Sequence, residues 1–233
     1  MRAITALELI TKGRIEELVA KLRDEIYINS LKRKPNAKKR YSAMKKFFTL
    51  ADSVREVCQK PCKIEFDGKE YTSFTNSYTL VLTTEDSGEL ELFDTENGTY
   101  PDVGRLIRFE GEERKIDLNK VIAEAKSQGY KLRKYEFFSN HCLMHYDGAY
   151  FRIPLIDSAY GIIAEDGEVS VYHGDSYRKP LVIKNDIGIA VIMPINRDHG
   201  PDEEQDDSKI IIEVEAETGD ILRDGISDSK EGN

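Results

Sequence analysis

Read by the spacing of its apolar positions, the chain changes period several times. Leu7, Ile15, Leu18, Val19, Leu22 and Ile26 fall at three- and four-residue steps, the pattern of an amphipathic helix with one buried stripe. Thr5-Ala-Leu-Glu8 reads as a capping box for its start, and Gly13 weakens its first turns. Pro35 ends it, because proline disfavours helical geometry at the residue before it, here Lys34. A second helix is predicted over 37–57, with Tyr41, Met44, Phe47, Phe48, Leu50, Val54 and Val57 apolar.

From Cys62 the period becomes two. Ile64 and Phe66, then Tyr71, Phe74 and residues 78–82, flank Asp67-Gly68, a strong hairpin signal. Asp86-Ser-Gly88 is a further turn, with Leu90 and Leu92 beyond it. Helical spacing returns over 114–129, where Asp117 is the N-cap, Leu118, Val121, Ile122 and Ala125 make the buried stripe, and Gly129 fits the C-cap. Alternation resumes over 132–194, and 187–194 is apolar enough for a central strand that Pro194 ends. An acidic linker rich in helix and strand breakers follows at 198–207. Residues 210–217 and Ile221-Leu222 then read as a short hairpin able to extend a sheet edge, before a disordered end at 227–233.

The stretch 142–194 echoes an earlier one at an offset of about eighty residues. Cys142-Leu-Met-His-Tyr-Asp147-Gly148 repeats the interval of Cys62-Lys-Ile-Glu-Phe-Asp67-Gly68. Ser158-Ala-Tyr160 echoes Ser77-Tyr78, 165–172 echoes 85–93, and 177–183 echoes 100–107. The fold class read from this is α+β: duplicated helix plus antiparallel β units behind an N-terminal helical pair. The division expected is 1–110 (basic helical pair and first β unit), 111–197 (helix and second β unit) and 198–233 (linker, hairpin and tail).

Charge sharpens that division. The net charge is −9, but residues 1–60 hold 15 Lys and Arg against 7 Asp and Glu, residues 61–201 hold 16 against 24, and residues 202–233 hold 3 against 12. The molecule is polarised, basic at one end and acidic elsewhere, which excludes blanket attraction to nucleic acid but not a local basic face. Lys32, Arg33, Lys34, Lys38, Lys39, Arg40, Lys45 and Lys46 form the one dense basic cluster. Such a cluster is either a solvated helix face or a phosphate-facing surface, the second because crowded cations repel unless anions neutralise them. With few aromatics interleaved, a DNA-binding role there reads backbone charge and not sequence.

Candidate chemistry is sparse. No apolar run is long enough to span a bilayer, the N-terminus carries charges where a signal peptide is apolar, and three cysteines make no disulfide framework. A reducing cytoplasm is the expected compartment. Cys58, Cys62, Cys142 and His145 are the best metal candidates. On a strand, however, Cys142 and His145 point to opposite sides, so buried cysteines and an edge histidine are the preferred reading, with no metal and no cofactor. No nucleophile elbow, phosphate loop or HExxH pattern occurs, and no catalytic residue is assigned.

Three segments carry a resemblance. Gly98-Thr-Tyr-Pro101-Asp102-Val-Gly-Arg-Leu106-Ile107, Lys179-Pro-Leu-Val-Ile183 and Asp186-Ile-Gly-Ile-Ala-Val-Ile-Met193-Pro194-Ile195 resemble the closing segments of DNA sliding clamps, specifically the bacterial DNA polymerase III beta subunit. The resemblance covers about residues 60–197. It implies a DNA-clamp-like, non-catalytic processivity factor for DNA replication: a ring of repeated β-α-β-β-β units with basic helices lining a channel around duplex DNA. It further implies a partner-peptide groove at Pro101, Leu106, Val191 and Met193, homo-oligomerisation, and partners comprising the duplex DNA backbone and a polymerase or other peptide-motif proteins, with no membrane. The reading that competes with it is a protein-protein interaction module without DNA binding. The chain departs from the family in having room for two domains where the clamp has three, and in running 39 residues past Pro194.

Overall fold

Two Asp-Gly hairpins start the two sheets. In the first, β1 (Cys62–Phe66) turns into β2 (Lys69–Thr75); in the second, β5 (Cys142–Tyr146) turns into β6 (Ala149–Arg152). The turn residues have φ of 52° and 69° at Asp67 and Gly68, and 48° and 71° at Asp147 and Gly148. A two-residue turn with both φ positive matches the right-handed twist of its strands, and Asp-Gly is a pair that tolerates it. The computed structural model describes residues 3–33, 35–51, 55–96, 98–107, 111–133, 139–164, 169–195 and 210–222.

Around the first hairpin, β3 (Thr79–Thr83), β9 (Gly188–Ile192), β8 (Leu181–Lys184), β7 (Ser170–His173) and β4 (Glu112–Arg114) complete a seven-stranded antiparallel sheet in the order β1-β2-β3-β9-β8-β7-β4. Its middle joint is β3 against β9, with Leu80 opposite Val191 and Leu82 opposite Ile189. The sheet is thus continuous across the expected boundary at residue 110. Around the second hairpin, β10 (Ile210–Val214) adds parallel to β5 and carries β11 (Ile221–Leu222), giving the order β11-β10-β5-β6. The terminal hairpin does extend a sheet edge.

Side chains of the large sheet alternate between two covered faces. Val81, Leu181, Ile183, Ala190 and Ile192 enter the main core, together with Tyr146 and Phe151 of the small sheet. Leu80, Leu82, Val182 and Val191 face the other way, into a smaller cluster that Val103, Tyr100 and Ile107 help to cover. Burial on both sides explains why β9 is apolar without interruption.

Helices fill the main core. α5 (Leu118–Ser127) buries the four predicted residues, and its N-cap Asp117 accepts a hydrogen bond from the Lys120 N–H at 3.1 Å. α3 (Pro35–Ala51) begins at the proline, a first-turn position where the missing N–H costs nothing, whereas the α-helix before it already stops at Ser30 and gives way to a 3-10 turn at Leu31–Arg33. α6 (Ile153–Ile163) corrects the alternation expected over this stretch: it is a helix with Pro154 in its first turn and eight of its residues buried. It crosses α3 closely, a Cβ built at Gly161 lying 3.3 Å from Ala43.

The repeat therefore survives only in the hairpins. Ser158 to Tyr160 are helical, whereas Ser77-Tyr78 form the turn between β2 and β3; residues 103–107 are a short helix, α4 (Val103–Ile107), whereas their echo leads into β8. Residues 89–94 form no strand. The start of the second echo at 165–168, the linker at 198–207 and the end at 227–233 lie outside the described residues. The fold class is α+β, with six α-helices among the described residues rather than the three expected.

The N-terminal helix also differs from expectation. It is broken at Gly13, whose φ is 68°, into α1 (Ala3–Thr11) and α2 (Ile15–Ser30), and Thr5 lies inside α1 instead of capping it. No residue of α2 is buried, so the stripe Ile15, Val19, Leu22 and Ile26 faces outward. Polar groups hold α2 to α3: the Tyr41 hydroxyl donates to Asp24 at 2.8 Å, and Lys45 forms an ion pair with the same carboxylate. The Tyr27 ring stands edge-on to Tyr41, centroids 4.8 Å apart.

Candidate partner-binding cleft and basic helix face

The cleft is made where the ladder between β3 and β9 runs out. The Met193 N–H donates to the Tyr78 carbonyl at 2.9 Å, one step past the last strand pair, and holds Met193 beside the β2–β3 turn. Asn76 shapes that turn by accepting from the N–H groups of Tyr78 and Thr79 at 3.1 and 2.8 Å. α4 approaches from the other side, its first turn fixed by Asp102, which accepts from the Arg105 N–H at 3.3 Å. Between them lies a cavity of about 260 Å³ lined by Tyr78, Leu80, Leu106, Pro180, Val191 and Met193, with Arg105 and Lys179 also contributing.

Three of the four groove residues expected from sequence, Leu106, Val191 and Met193, thus share one cleft. Pro101 does not line it; it lies in the loop before α4, half-buried. Leu106 is 48% exposed and Met193 42%, while Val191 is buried as the floor. Large apolar side chains left in water beside an apolar floor are the composition of a peptide-binding groove. The Arg152 guanidinium sits over the Tyr78 ring at 5.3 Å and donates to Asn140 at 3.2 Å. Burial lowers its pKa from the usual guanidinium value. Tyr78, Leu80, Arg105, Lys179 and Pro180 are not assigned to the groove from sequence, although Arg105, Lys179 and Pro180 lie in the segments that carry the resemblance.

The basic cluster is divided by the fold. Lys32, Lys38, Lys39 and Lys46 are exposed. Arg40 is not a surface cation: it is 3% exposed and ion-paired with Glu85 at 2.6 Å, which corrects its place among solvent-facing residues. Lys45 is half-buried against Asp24. Lys34 and the side chain of Arg33 lie outside the described residues. Lys39 and Lys46, seven residues apart on α3, share a side of the helix. Lys39 also lines a wider cleft of about 1290 Å³ past the start of α5, where Arg114, Lys115 and Lys120 mingle with Glu113, Asp117 and Asp220. Mixed signs there give no single field.

The cysteines and histidine do not assemble. Cys58, Cys62 and Cys142 are free and buried, and burial raises the Cys62 thiol pKa. His145 stacks on Tyr150 with centroids 4.3 Å apart, and its Nδ1 lies 2.5 Å from Glu213 on the neighbouring β10. Among the described residues no three His, Cys, Asp or Glu side chains are placed to hold a metal ion, and no helix is long and apolar enough to cross a membrane.

Comparison with known proteins yields no matching family model and no matching curated protein. Among solved structures the fold is similar to that of bacterial sliding clamps. The DNA polymerase III subunit beta of Borrelia burgdorferi matches at 14% identity and a TM-score of 0.44, covering 67% of this chain and 63% of that one. A DNA polymerase sliding clamp from Bacillus subtilis matches at 14% identity and 0.45, covering 69% and 63%. The match spans under two thirds of the clamp chains.

Proposed function

We propose that this chain is a non-catalytic, sliding-clamp-like accessory factor that keeps partner proteins at duplex DNA by gripping a short hydrophobic segment of each partner. The observation that carries this reading is the meeting of Leu106 from α4 with Val191 and Met193 from the end of β9. Apolar anchors of a peptide fit that floor, and Arg105 and Lys179 suit an acidic residue beside them. Duplex DNA is engaged through Lys32, Lys38, Lys39 and Lys46 by backbone charge alone.

The test measures both activities on one protein. A fluorescent peptide with two or three large apolar residues and one acidic residue binds the wild type, and Leu106→Asp or Met193→Asp weakens binding at least about tenfold. Triple replacement Lys38→Glu, Lys39→Glu and Lys46→Glu removes salt-sensitive duplex binding and leaves the peptide affinity unchanged. A second reading, an interaction module without DNA binding, is favoured by the engagement of Arg40 with Glu85 and of Lys45 with Asp24, which thins the basic face. Peptide binding with no duplex binding at about 50 mM salt selects it; a cleft that takes no such peptide rejects both.

A further inference from the structure

The outward stripe of α2 is an apolar feature that the proposed function leaves unused. Ile15, Val19, Leu22 and Ile26 follow steps of four, three and four, and they are 55%, 40%, 42% and 68% exposed. That spacing is the seam of a helix built to pack against another helix. Among the described residues the four side chains stay open to solvent, because α2 is held to α3 through Asp24 and Tyr27 on its other side.

We propose that this seam is a homodimer interface, in which α2 pairs antiparallel with α2 of a second copy. Charge selects both the occupant and the direction. A two-fold axis between Val19 and Leu22 sets Val19 against the partner's Leu22, and Ile15 against the partner's Ile26. It also brings Glu16 beside the partner's Arg23, and by symmetry this ion pair forms twice. In a parallel pair Glu16 and Arg23 fall on the same flank of both helices and never meet. α2 carries two cations against four acids, so its polar side suits neither an anionic lipid surface nor an acidic partner. The seam and its flanking stems offer on the order of 500 Å² per copy, which places the pair near the lower bound for a specific interface. A reversible dimer is the consequence, in exchange with monomer.

Sedimentation equilibrium over a range of concentrations tests this on the full chain. The wild type moves from 26.6 kDa toward twice that mass as concentration rises. Leu22→Glu, at an exposed position, stays monomeric with unchanged circular dichroism. Glu16→Arg and Arg23→Glu each weaken association about tenfold, since each sets like charges together twice, and the double variant restores it. A wild type that is monomeric throughout overturns the proposal. A dimer that survives Leu22→Glu overturns it equally, and failure of the double variant to recover overturns the antiparallel register. The cleft is remote in sequence from α2, so the Leu22→Glu variant keeps its peptide binding, and the two readings fail separately.

Discussion

α2 and α6 are both rich in isoleucine and leucine, yet one leaves its apolar side in water and the other loses nearly every such side chain to the core. In α6, Ile153, Leu155, Ile156, Ile162 and Ile163 have no exposed surface, because β3 and β9 lie on one side and α3 on the other. α2 meets α1, α3 and the turn at Gly88, and its contacts to α3 and to that turn are made through Asp24 and Tyr27 on its polar side. Periodicity identifies a helix with a face; it does not say what covers the face. α6 leaves only Asp157, Tyr160 and Gly161 partly open, and Asp157 is the one charged side chain among them, so its polar stripe is too thin to set a period.

The largest effect separates the two helices directly. Ile156→Ala removes buried methylenes between a sheet and a helix and lowers stability by about 3–4 kcal/mol, with part of the loss coming from the cavity left behind. Ile26→Ala, at 68% exposure, shifts it by less than about 0.5 kcal/mol. Urea unfolding at a protein concentration low enough to keep the chain monomeric checks both, and comparable losses would break the contrast.

A smaller effect concerns what holds α2 in place. Asp24→Ala deprives the Tyr41 hydroxyl of its acceptor and Lys45 of its ion pair. Burial chiefly, and then Asp24, raise the Tyr41 phenol pKa well above its ordinary value. The expected loss is about 1–2 kcal/mol, the cost of stranding a buried donor. It is local: limited proteolysis cuts faster within 12–33 while the sheets stay protected, and the Tyr41 phenol titrates closer to its ordinary value. If the sheets lose protection in step with the helix, α2 belongs to the same cooperative unit and the division is wrong.

What could be read from the sequence followed the same physics. The hairpins at Asp67-Gly68 and Asp147-Gly148 were legible because their turn chemistry is local, and α5 because its cap and stripe are complete within ten residues. The central position of β9 was legible from uninterrupted apolarity. The pairing of β3 with β9 was not, since nothing in either strand names a partner over a hundred residues away. At the candidate site, Leu106, Val191 and Met193 came from a resemblance between segments, and the structure brings them together. Arg40 shows the limit: it looks like its cationic neighbours, and only the position of Glu85 takes it out of solvent.

The smallest effect sharpens the contrast through pH. His173 on β7 is fully buried against the rings of Tyr146 and Phe151, centroids 5.8 and 5.5 Å away, and its Nδ1–H donates to the Pro180 carbonyl at 3.3 Å. Burial is the main reason its pKa lies below the ordinary histidine value, so the folded protein keeps it neutral where the unfolded chain takes up a proton. The unfolded state therefore binds more protons below about pH 6.5, and the stability His173 contributes is complete above that pH and declines as pH falls. Between about pH 7.5 and 5.5 the melting temperature drops on the order of a few degrees, and His173→Phe flattens the slope whatever it does to the absolute value. α2 contains no histidine, so proteolytic opening of 12–33 stays constant over the same window. A slope that persists in His173→Phe moves the pH response elsewhere. Loosening of α2 in parallel with the sheets would show that the polar contacts of Asp24 transmit to the core, and that the two helices are not independent.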